Sequence, residues 1–382
     1  MSAVRTTLLT SNIYKNLLRM NMLNCSSRAV SSVSSEEDVI FESVKDKGVI
    51  TLNRPKALNA LNFSMVNKLI PKLKQWEKEK SLVIIKGTGE KAFCAGGDVR
   101  AVVEAGLRGD RLGHDFFRNE YTLNGLIGTY SKPYIALIDG IVMGGGVGLS
   151  VHGHYRVATE RTLFAMPETA IGLFPDVGGS YFLPRLGGKL GCYLALTGHR
   201  LKGADVLKAG VATHYCQSSK LNDLEKALYE CSNEQSINET LRKFSTRDET
   251  EFCLAPYIEQ INKCFSATTI EGIFEALQKD GSEWAQKTLK TLSKMSPTSL
   301  KVTLKELNLG SKLNLQECLQ MEYRLAVNCL SNKDFYEGVR ALLIDKDQKP
   351  AWSPSSLKAV TENIVNGYFN KLPDDQELRH KL

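Results

Sequence analysis

The sequence predicts an α/β fold built on parallel strands, followed by a region that is mainly helical. The unit of apolar strand, glycine turn and helix occurs twice, with its turns at Gly96–Gly97 and Gly144–Gly146. Strands joined through helices in this way run parallel, with right-handed crossovers. From Lys189 onward, apolar residues recur at helical spacing in successive segments, which predicts the helical region.

Composition excludes several classes of protein. With 382 residues, of which 42% are hydrophobic and 24% charged, the chain is typical of a globular protein with one large domain and an extension. The net charge of +7 is spread along the chain without arginine–aromatic alternation, so no nucleic-acid surface is indicated. No apolar run is long enough to insert into a membrane. Nine cysteines without a CxxC pair indicate thiols in a reducing compartment.

Residues 1–35 differ in kind from the rest. They are rich in Ser and Thr, contain basic residues such as Arg5 and Arg19, and have no acidic residue before Glu36. This composition predicts a transit peptide that directs the chain to the mitochondrial matrix, with a basic disordered tail as the alternative. The remaining chain is divided into a core at 36–220 and a mainly helical region at 221–382.

A hairpin and an amphipathic helix open the core. The β-branched runs 39–44 and 49–52 flank an Asp/Gly-type turn, and Pro55 ends the second run. Apolar residues from Leu69 to Trp76 recur at helical spacing, which predicts a helix from Ser64 to about Glu79.

The first strand–glycine–helix unit follows. The run 82–85 is short, apolar and β-branched, which predicts a buried strand. The glycine turn Lys91–Val99 comes next, and helical spacing predicts helices at 99–105 and 115–130.

In the second unit, the apolar run 134–138 is predicted to be a buried parallel strand that leads into Met143–Gly148, with Leu149–Val151 continuing as a helix. Such a turn leaves unpaired N–H groups at a positive helix end, which suits a phosphate or the oxyanion of acyl transfer. A simple packing turn is the alternative. Because parallel sheets bind ligands at the carboxyl ends of their strands, we expect both glycine turns to border one crevice.

The remainder of the chain contains one loop with two candidate catalytic carboxylates, and several predicted helices. The loop 166–179 places Glu168 and Asp176 between turn-forming Pro and Gly residues. Residues 218–251 are polar and less patterned. His152 and His154 alternate as on one strand face, but no third ligand accompanies them, so no metal site is predicted. Periodicity predicts helices at 190–196, 204–209, 224–229, 270–277, 298–307 and 315–330.

Three motifs identify a family resemblance. Asn53-Arg54-Pro55 with Ala57–Leu61, Phe93–Asp98, and Met143–Gly146 resemble the crotonase (enoyl-CoA hydratase/isomerase) superfamily. The resemblance implies a ClpP/crotonase-like fold of repeated ββα units. Within the superfamily, the runs 143–151, 164–182 and 334–347 resemble the members that hydrolyse acyl-CoA thioesters. The implied substrates are 3-hydroxyisobutyryl-CoA, an intermediate of valine catabolism, and 3-hydroxypropionyl-CoA.

The resemblance also implies how coenzyme A is held. The backbone N–H groups of Gly97 and Gly145 are expected to bind the thioester oxygen, and Ala95 is expected to accept a hydrogen bond from the adenine amino group. Arg54 and Lys56 are expected near the phosphates, with ordinary loop charges as the alternative. No metal or redox cofactor is expected, because coenzyme A arrives as part of the substrate. The superfamily often forms trimers or hexamers, which leaves a homo-oligomer open.

The acidic residues predict which reaction is catalysed. Hydratases of the superfamily carry a glutamate at the position of Gly148, whereas their second glutamate is retained as Glu168. One carboxylate beside an oxyanion hole suits hydrolysis, with Glu168 as base or nucleophile. Asp176 and Glu120 are expected to orient the substrate, with proton transfer as a further role, and Asp176 is counted with Glu168, Gly97 and Gly145 among the catalytic residues. Two alternatives are kept: a hydratase or isomerase, and a non-catalytic crotonase-fold subunit of a mitochondrial assembly.

Overall fold

The computed structural model describes residues 37–379, so the predicted transit peptide lies outside the described residues. The chain from Glu37 onward forms one compact unit. None of the described helices is long and apolar enough to cross a membrane.

The described strands form two sheets. The larger sheet has the order β1-β2-β3-β5-β7-β10 and is parallel except for the β1–β2 hairpin. The smaller sheet has the order β4-β6-β8-β9 and is parallel except for β8–β9. The strands are β1 (Val39–Val44), β2 (Lys47–Leu52), β3 (Leu82–Gly87), β4 (Ala92–Cys94), β5 (Tyr134–Ile138), β6 (Ile141–Met143), β7 (Tyr155–Ala158), β8 (Leu163–Ala165), β9 (Leu201–Lys202) and β10 (His214–Tyr215).

The described α-helices range in length from 4 to 17 residues. They are α1 (Phe63–Glu79), α2 (Val99–Leu107), α3 (Leu112–Gly128), α4 (Gly145–Gly148), α5 (Gly179–Phe182), α6 (Leu190–Thr197), α7 (Asp205–Lys208), α8 (Leu221–Tyr229), α9 (Glu234–Phe244), α10 (Ile258–Cys264), α11 (Ile270–Asp280), α12 (Glu283–Leu292), α13 (Pro297–Gly310), α14 (Leu315–Ser331), α15 (Lys333–Val339) and α16 (Glu362–Tyr368). A π-helical turn, Arg340–Ile344, follows α15.

Successive strands alternate between the two sheets, which is the predicted ββα repeat. β3, β5 and β7 lie in the larger sheet, and each is followed by a three-residue strand, β4, β6 or β8, in the smaller one. The prediction that the strand at 134–138 runs directly into the glycines was therefore wrong, because β6 intervenes. The prediction of a helix at Leu149–Val151 was also wrong: α4 is a single turn that begins inside the glycine run, at Gly145.

The strands end at Tyr215, and the described chain beyond is helical with connecting loops. The division into regions at 36–220 and 221–382 stays a prediction, since both belong to the same compact unit. Within 218–251, which was predicted to be poorly patterned, α8 and α9 form. α9 buries only Ile237 and Leu241, and a capping box between Asn233 and Ser236 supports its start.

The core positions the site by packing α3 between the sheets and the helical region. α3 buries Phe116, Phe117 and Tyr121 on the face that carries Glu120. α14 packs along α3 from the other side, where Tyr323 meets the ring of Tyr121 edge-on. Residues of the helical region therefore reach the centre of the fold.

Candidate active site

The two glycine turns lie side by side, as predicted. β4 and β6 are neighbouring parallel strands, so the turns that follow them lie at the same sheet edge. A Cβ atom built on Gly145 would lie 3.1 Å from the amide nitrogen of Gly97. In the described part of the chain, neither the Gly97 N–H nor the Gly145 N–H donates to a protein acceptor. Both amides are therefore available to one small ligand atom.

The first turn is held in place by the loop that follows β2. Leu61 forms a parallel bridge with Gly97, because its N–H donates to the Gly96 carbonyl and its carbonyl accepts from the Asp98 N–H, both at 2.8 Å. The fully buried Asn59 amide donates to the carbonyl oxygen of Ala92 at 2.8 Å. The motif at 53–61 is thus a brace for the turn, which fixes the Gly97 N–H before any ligand binds.

The second turn consists of glycines because carboxylates press against it. A Cβ atom on Gly144, whose φ is +44°, would lie 2.9 Å from Glu168 Oε1. A Cβ atom on Gly145 would overlap Glu120 Oε1. Side chains at these positions would fill the space that separates the free amides from the carboxylates.

Three acidic residues from distant parts of the chain meet in one cavity of about 400 Å³. Glu120 lies on α3, Glu168 begins the 3-10 turn after β8, and Asp176 lies in the loop before α5. All three side chains are buried. Glu168 Oε2 and Glu120 Oε1 have no partner among the described residues. These two oxygens can therefore form hydrogen bonds with substrate or water.

Burial and mutual repulsion shift the acidity of this group. Burial raises the pKa of Glu168 well above its usual range, and the charge of Asp176 adds to the effect. Burial also raises the pKa of Glu120, with Asp176 and Glu168 contributing. Burial raises the pKa of Asp176 to about 7, although the Tyr121 hydroxyl, which donates to Asp176 Oδ2 at 2.9 Å, opposes that rise. Asp176, with its pKa of about 7, can therefore exchange a proton near neutral pH, as a general acid or base must.

The cavity contains most of the predicted site residues, but not the two predicted phosphate ligands. Its lining includes Ala95, Gly97, Glu120, Gly145, Glu168 and Asp176. Arg54 instead forms an ion pair with Asp98 at 3.0 Å and donates to the Ala60 carbonyl at 2.6 Å, and Lys56 is exposed. A role for Arg54 and Lys56 at the phosphates stays a prediction.

Two groups of cavity neighbours were not predicted from the sequence. Leu342 and Leu343 of the π-helical turn line the cavity together with Gln348, and Arg200 contributes from the core. Beneath the Asp176 loop lie two buried glutamates of the helical region, Glu306 and Glu322.

Comparison with known proteins identifies the family. The family model described as enoyl-CoA hydratase/isomerase matches residues 47–369. This chain belongs to the enoyl-CoA hydratase/isomerase family. The family contains curated relatives named "3-hydroxyisobutyryl-CoA hydrolase, mitochondrial". The Xenopus tropicalis protein is 60% identical over 85% of this chain and 86% of its own length. The human protein is 56% identical over 88% of this chain and 89% of its own length.

Solved structures confirm the predicted crotonase-like fold. A carnitinyl-CoA dehydratase from Mycobacterium thermoresistibile has a TM-score of 0.84 and 38% identity, over 90% of this chain and 99% of its own. An enoyl-CoA hydratase from Rhodobacter sphaeroides has a TM-score of 0.82 and 36% identity, over 90% of this chain and 100% of its own.

The space around Gly148 distinguishes hydration from hydrolysis, because hydratases resembling this chain carry a glutamate at this position. A Cβ atom there would lie 2.6 Å from Asn124 Nδ2 and 2.7 Å from Val177 Cβ. The site therefore has no room for a glutamate at this position, and the loop that carries Asp176 occupies the space instead.

Proposed function

We propose that this protein hydrolyses 3-hydroxyisobutyryl-CoA to 3-hydroxyisobutyrate and free coenzyme A, and accepts 3-hydroxypropionyl-CoA as a second substrate. The observation that carries the proposal is the pair of free amides at Gly97 and Gly145 beside the buried Glu168 carboxyl. Relatives at 51–60% identity over most of the chain carry the name of this hydrolase and are named mitochondrial. The protein acts in the mitochondrion on a CoA thioester.

The amides stabilise the charge that develops on the substrate. When an oxygen nucleophile adds to the thioester carbon, electrons move onto the carbonyl oxygen, which lies between the N–H groups of Gly97 and Gly145. Both donors are fixed by the backbone before the reaction, so no reorganisation is needed. A donor of this kind contributes roughly 3 kcal/mol to lowering the barrier.

Glu168 has one of two roles. It attacks the acyl carbon itself as nucleophile, or it activates a water molecule by taking its proton. In the nucleophilic route, Glu168 forms an anhydride with the acyl carbon as the carbon–sulfur bond breaks, and water then cleaves the anhydride to the free acid and Glu168. In the base route, Glu168 takes a proton from water while the water oxygen adds to the acyl carbon and the carbon–sulfur bond breaks. In both routes the sulfur leaves as thiolate. Glu168 Oε1 lies against the second glycine turn, 2.9 Å from a Cβ atom built on Gly144, so the carboxyl group is beside the proposed position of the acyl carbon. Asp176, with a pKa of about 7, is suited to protonate the leaving sulfur. Glu120 orients the acyl group through its unpartnered Oε1.

Hydration of a double bond is disfavoured by the same geometry. Adding water to a double bond requires proton transfer at both carbons. Hydratases of the family use two glutamates for this, and the position of the first is Gly148 in this chain, which has no side chain to transfer a proton. Hydrolysis needs only one activated oxygen and the two amides. Coenzyme A is part of the substrate, and the proposed chemistry assigns no step to a further cofactor.

The experiment measures free thiol released from 3-hydroxyisobutyryl-CoA, 3-hydroxypropionyl-CoA and acetyl-CoA by the purified protein. Loss of the enoyl absorbance of crotonyl-CoA is followed in parallel. The proposal predicts rapid thiol release from the two 3-hydroxyacyl thioesters and no loss of enoyl absorbance. Hydration of crotonyl-CoA without thiol release would establish a hydratase and refute the proposal. Absence of both reactions would refute it as well.

A further inference from the structure

The loop that carries Asp176 has a strained backbone. Val177 adopts the left-handed region, with φ of +53°, and Gly178 follows with φ of +83°. A β-branched residue in this region is an outlier, because its Cβ substituents crowd the backbone. Such a conformation is unfavourable and persists only where surrounding contacts hold it.

His152 Nε2 contacts the Val177 carbonyl oxygen at 2.7 Å, and Glu322 of α14 holds the residues that follow. Its Oε2 accepts from the Gly178 N–H at 2.7 Å, and its Oε1 accepts from the Ser180 N–H at 3.0 Å and the Ser180 hydroxyl at 2.5 Å. The first residues of α5 have no capping side chain of their own, since the residue before the helix is Gly178. The carboxyl group of a residue on a distant helix thus serves as the N-cap of α5.

The neighbouring residue on α14 supports the Asp176 side chain. The ring of Tyr323 packs edge-on against Tyr121, with 6.5 Å between ring centroids and 89° between planes. The Tyr121 hydroxyl in turn donates to Asp176 Oδ2. Two consecutive residues of α14 therefore hold the backbone after Asp176 and the hydrogen-bond donor to its carboxyl.

We propose that Glu322 is a positioning residue for thioester hydrolysis, which holds residues 177–180 in the conformation that keeps the Asp176 carboxyl in the cavity. Glu322 is not part of the cavity lining, so it acts through the loop and not on the substrate. This inference rests on the proposed hydrolysis. It gives α14 of the mainly helical region an indirect part in catalysis, through the loop that carries Asp176.

Glu306 of α13 offers a matched control. It is fully buried like Glu322, and neither of its carboxyl oxygens has a partner among the described residues. Burial, together with the charge of Glu322, raises the pKa of Glu306 well above its usual range. Glu306→Gln therefore changes a buried acid of the same neighbourhood without removing a bond to the Asp176 loop.

The experiment compares Glu322→Gln, Ser180→Ala and Glu306→Gln by thiol release and thermal melting. The amide of Glu322→Gln replaces one acceptor oxygen with a donor, so at least one loop N–H loses its partner. We expect kcat to fall by about tenfold or more in Glu322→Gln and by a few-fold in Ser180→Ala, with KM within about twofold of wild type. In Glu306→Gln both constants should stay within about twofold.

The results separate this inference from the proposed function. If wild type releases no thiol, the proposed function fails. If wild type is active and folded Glu322→Gln has the kcat of wild type, the positioning role is refuted. A rise in KM with unchanged kcat, or an equal fall of kcat in Glu306→Gln, would also refute it. If Glu322→Gln does not fold, the milder Ser180→Ala decides: a wild-type kcat in this variant overturns the inference.

Discussion

The substitution Gly145→Ala tests the oxyanion site with one methyl group. The added carbon would lie 3.1 Å from the Gly97 amide nitrogen and would overlap Glu120 Oε1, so it enters the gap that the thioester oxygen must occupy. Gly145 lies in α4 without a positive φ, so alanine is compatible with its backbone. The change therefore blocks the site without forcing the chain out of its conformation.

Alanine keeps its own N–H, but its methyl group fills the gap between the two amides, so the thioester oxygen loses the hydrogen bond of at least one of them. Removing such a donor costs about 3 kcal/mol in the barrier, which corresponds to a fall in kcat of about two orders of magnitude. Stability should change little, because alanine in a helix gains up to about 1 kcal/mol over glycine. Displacing the Glu120 side chain offsets that gain by a similar amount.

The assay is steady-state release of free thiol from 3-hydroxyisobutyryl-CoA, together with the thermal midpoint of unfolding. Gly367→Ala is the control, because Gly367 is also helical and no atom lies within 4 Å of its added carbon. This control should keep the wild-type kcat, and its thermal midpoint should equal or slightly exceed that of wild type, because alanine favours a helix more than glycine does. A kcat in Gly145→Ala within threefold of the wild-type value would refute the assigned oxyanion site.

Two further predictions concern stability. Gly148→Ala should lower the urea midpoint of unfolding by the equivalent of about 1–3 kcal/mol, because its Cβ would press on Asn124 and Val177; an unchanged midpoint would contradict the packing described. Stability should also fall as the pH rises from 6 to 9. The pKa of Asp176 is raised from 3.8 to about 7 and that of Glu322 from 4.5 to about 8, so folding favours their protonated forms, and this contribution is lost as both groups ionise. A urea midpoint that rises over this range would contradict it.

Much of the site could be predicted from the sequence because its residues lie in turns with distinct composition. Gly97 and Gly145 follow apolar strands, and Glu168 and Asp176 lie between Pro and Gly residues, so their places at one sheet edge follow from parallel topology. Arg54 could not be placed in the same way. Its partner Asp98 is distant along the chain, and neither residue type reveals the ion pair.

The support from the helical region was missed, although a signal exists. Glu322 occupies the apolar face of α14, where the surrounding positions at helical spacing are buried Leu319, Leu325 and Ala326. A glutamate on such a face requires buried donors, and here these are the N–H groups of the Asp176 loop. The donors themselves depend on a left-handed Val177, a conformation that no residue pattern announces.

The smaller sheet was missed for a different reason. β4, β6 and β8 are each three residues long, which is too short for alternation between buried and exposed positions to appear. Their residues are buried or partly buried without regular alternation, so the sequence pattern does not distinguish these strands from turns or from the preceding strand.

The most direct measurement is thiol release from 3-hydroxyisobutyryl-CoA by Glu168→Gln. The amide preserves the shape of the side chain but can neither take a proton from water nor attack the acyl carbon. We predict a fall in kcat of about 10²–10⁴-fold, with the circular dichroism spectrum and thermal midpoint of wild type. Turnover by folded Glu168→Gln at the wild-type rate would contradict the assignment of Glu168 and, with it, the proposed mechanism.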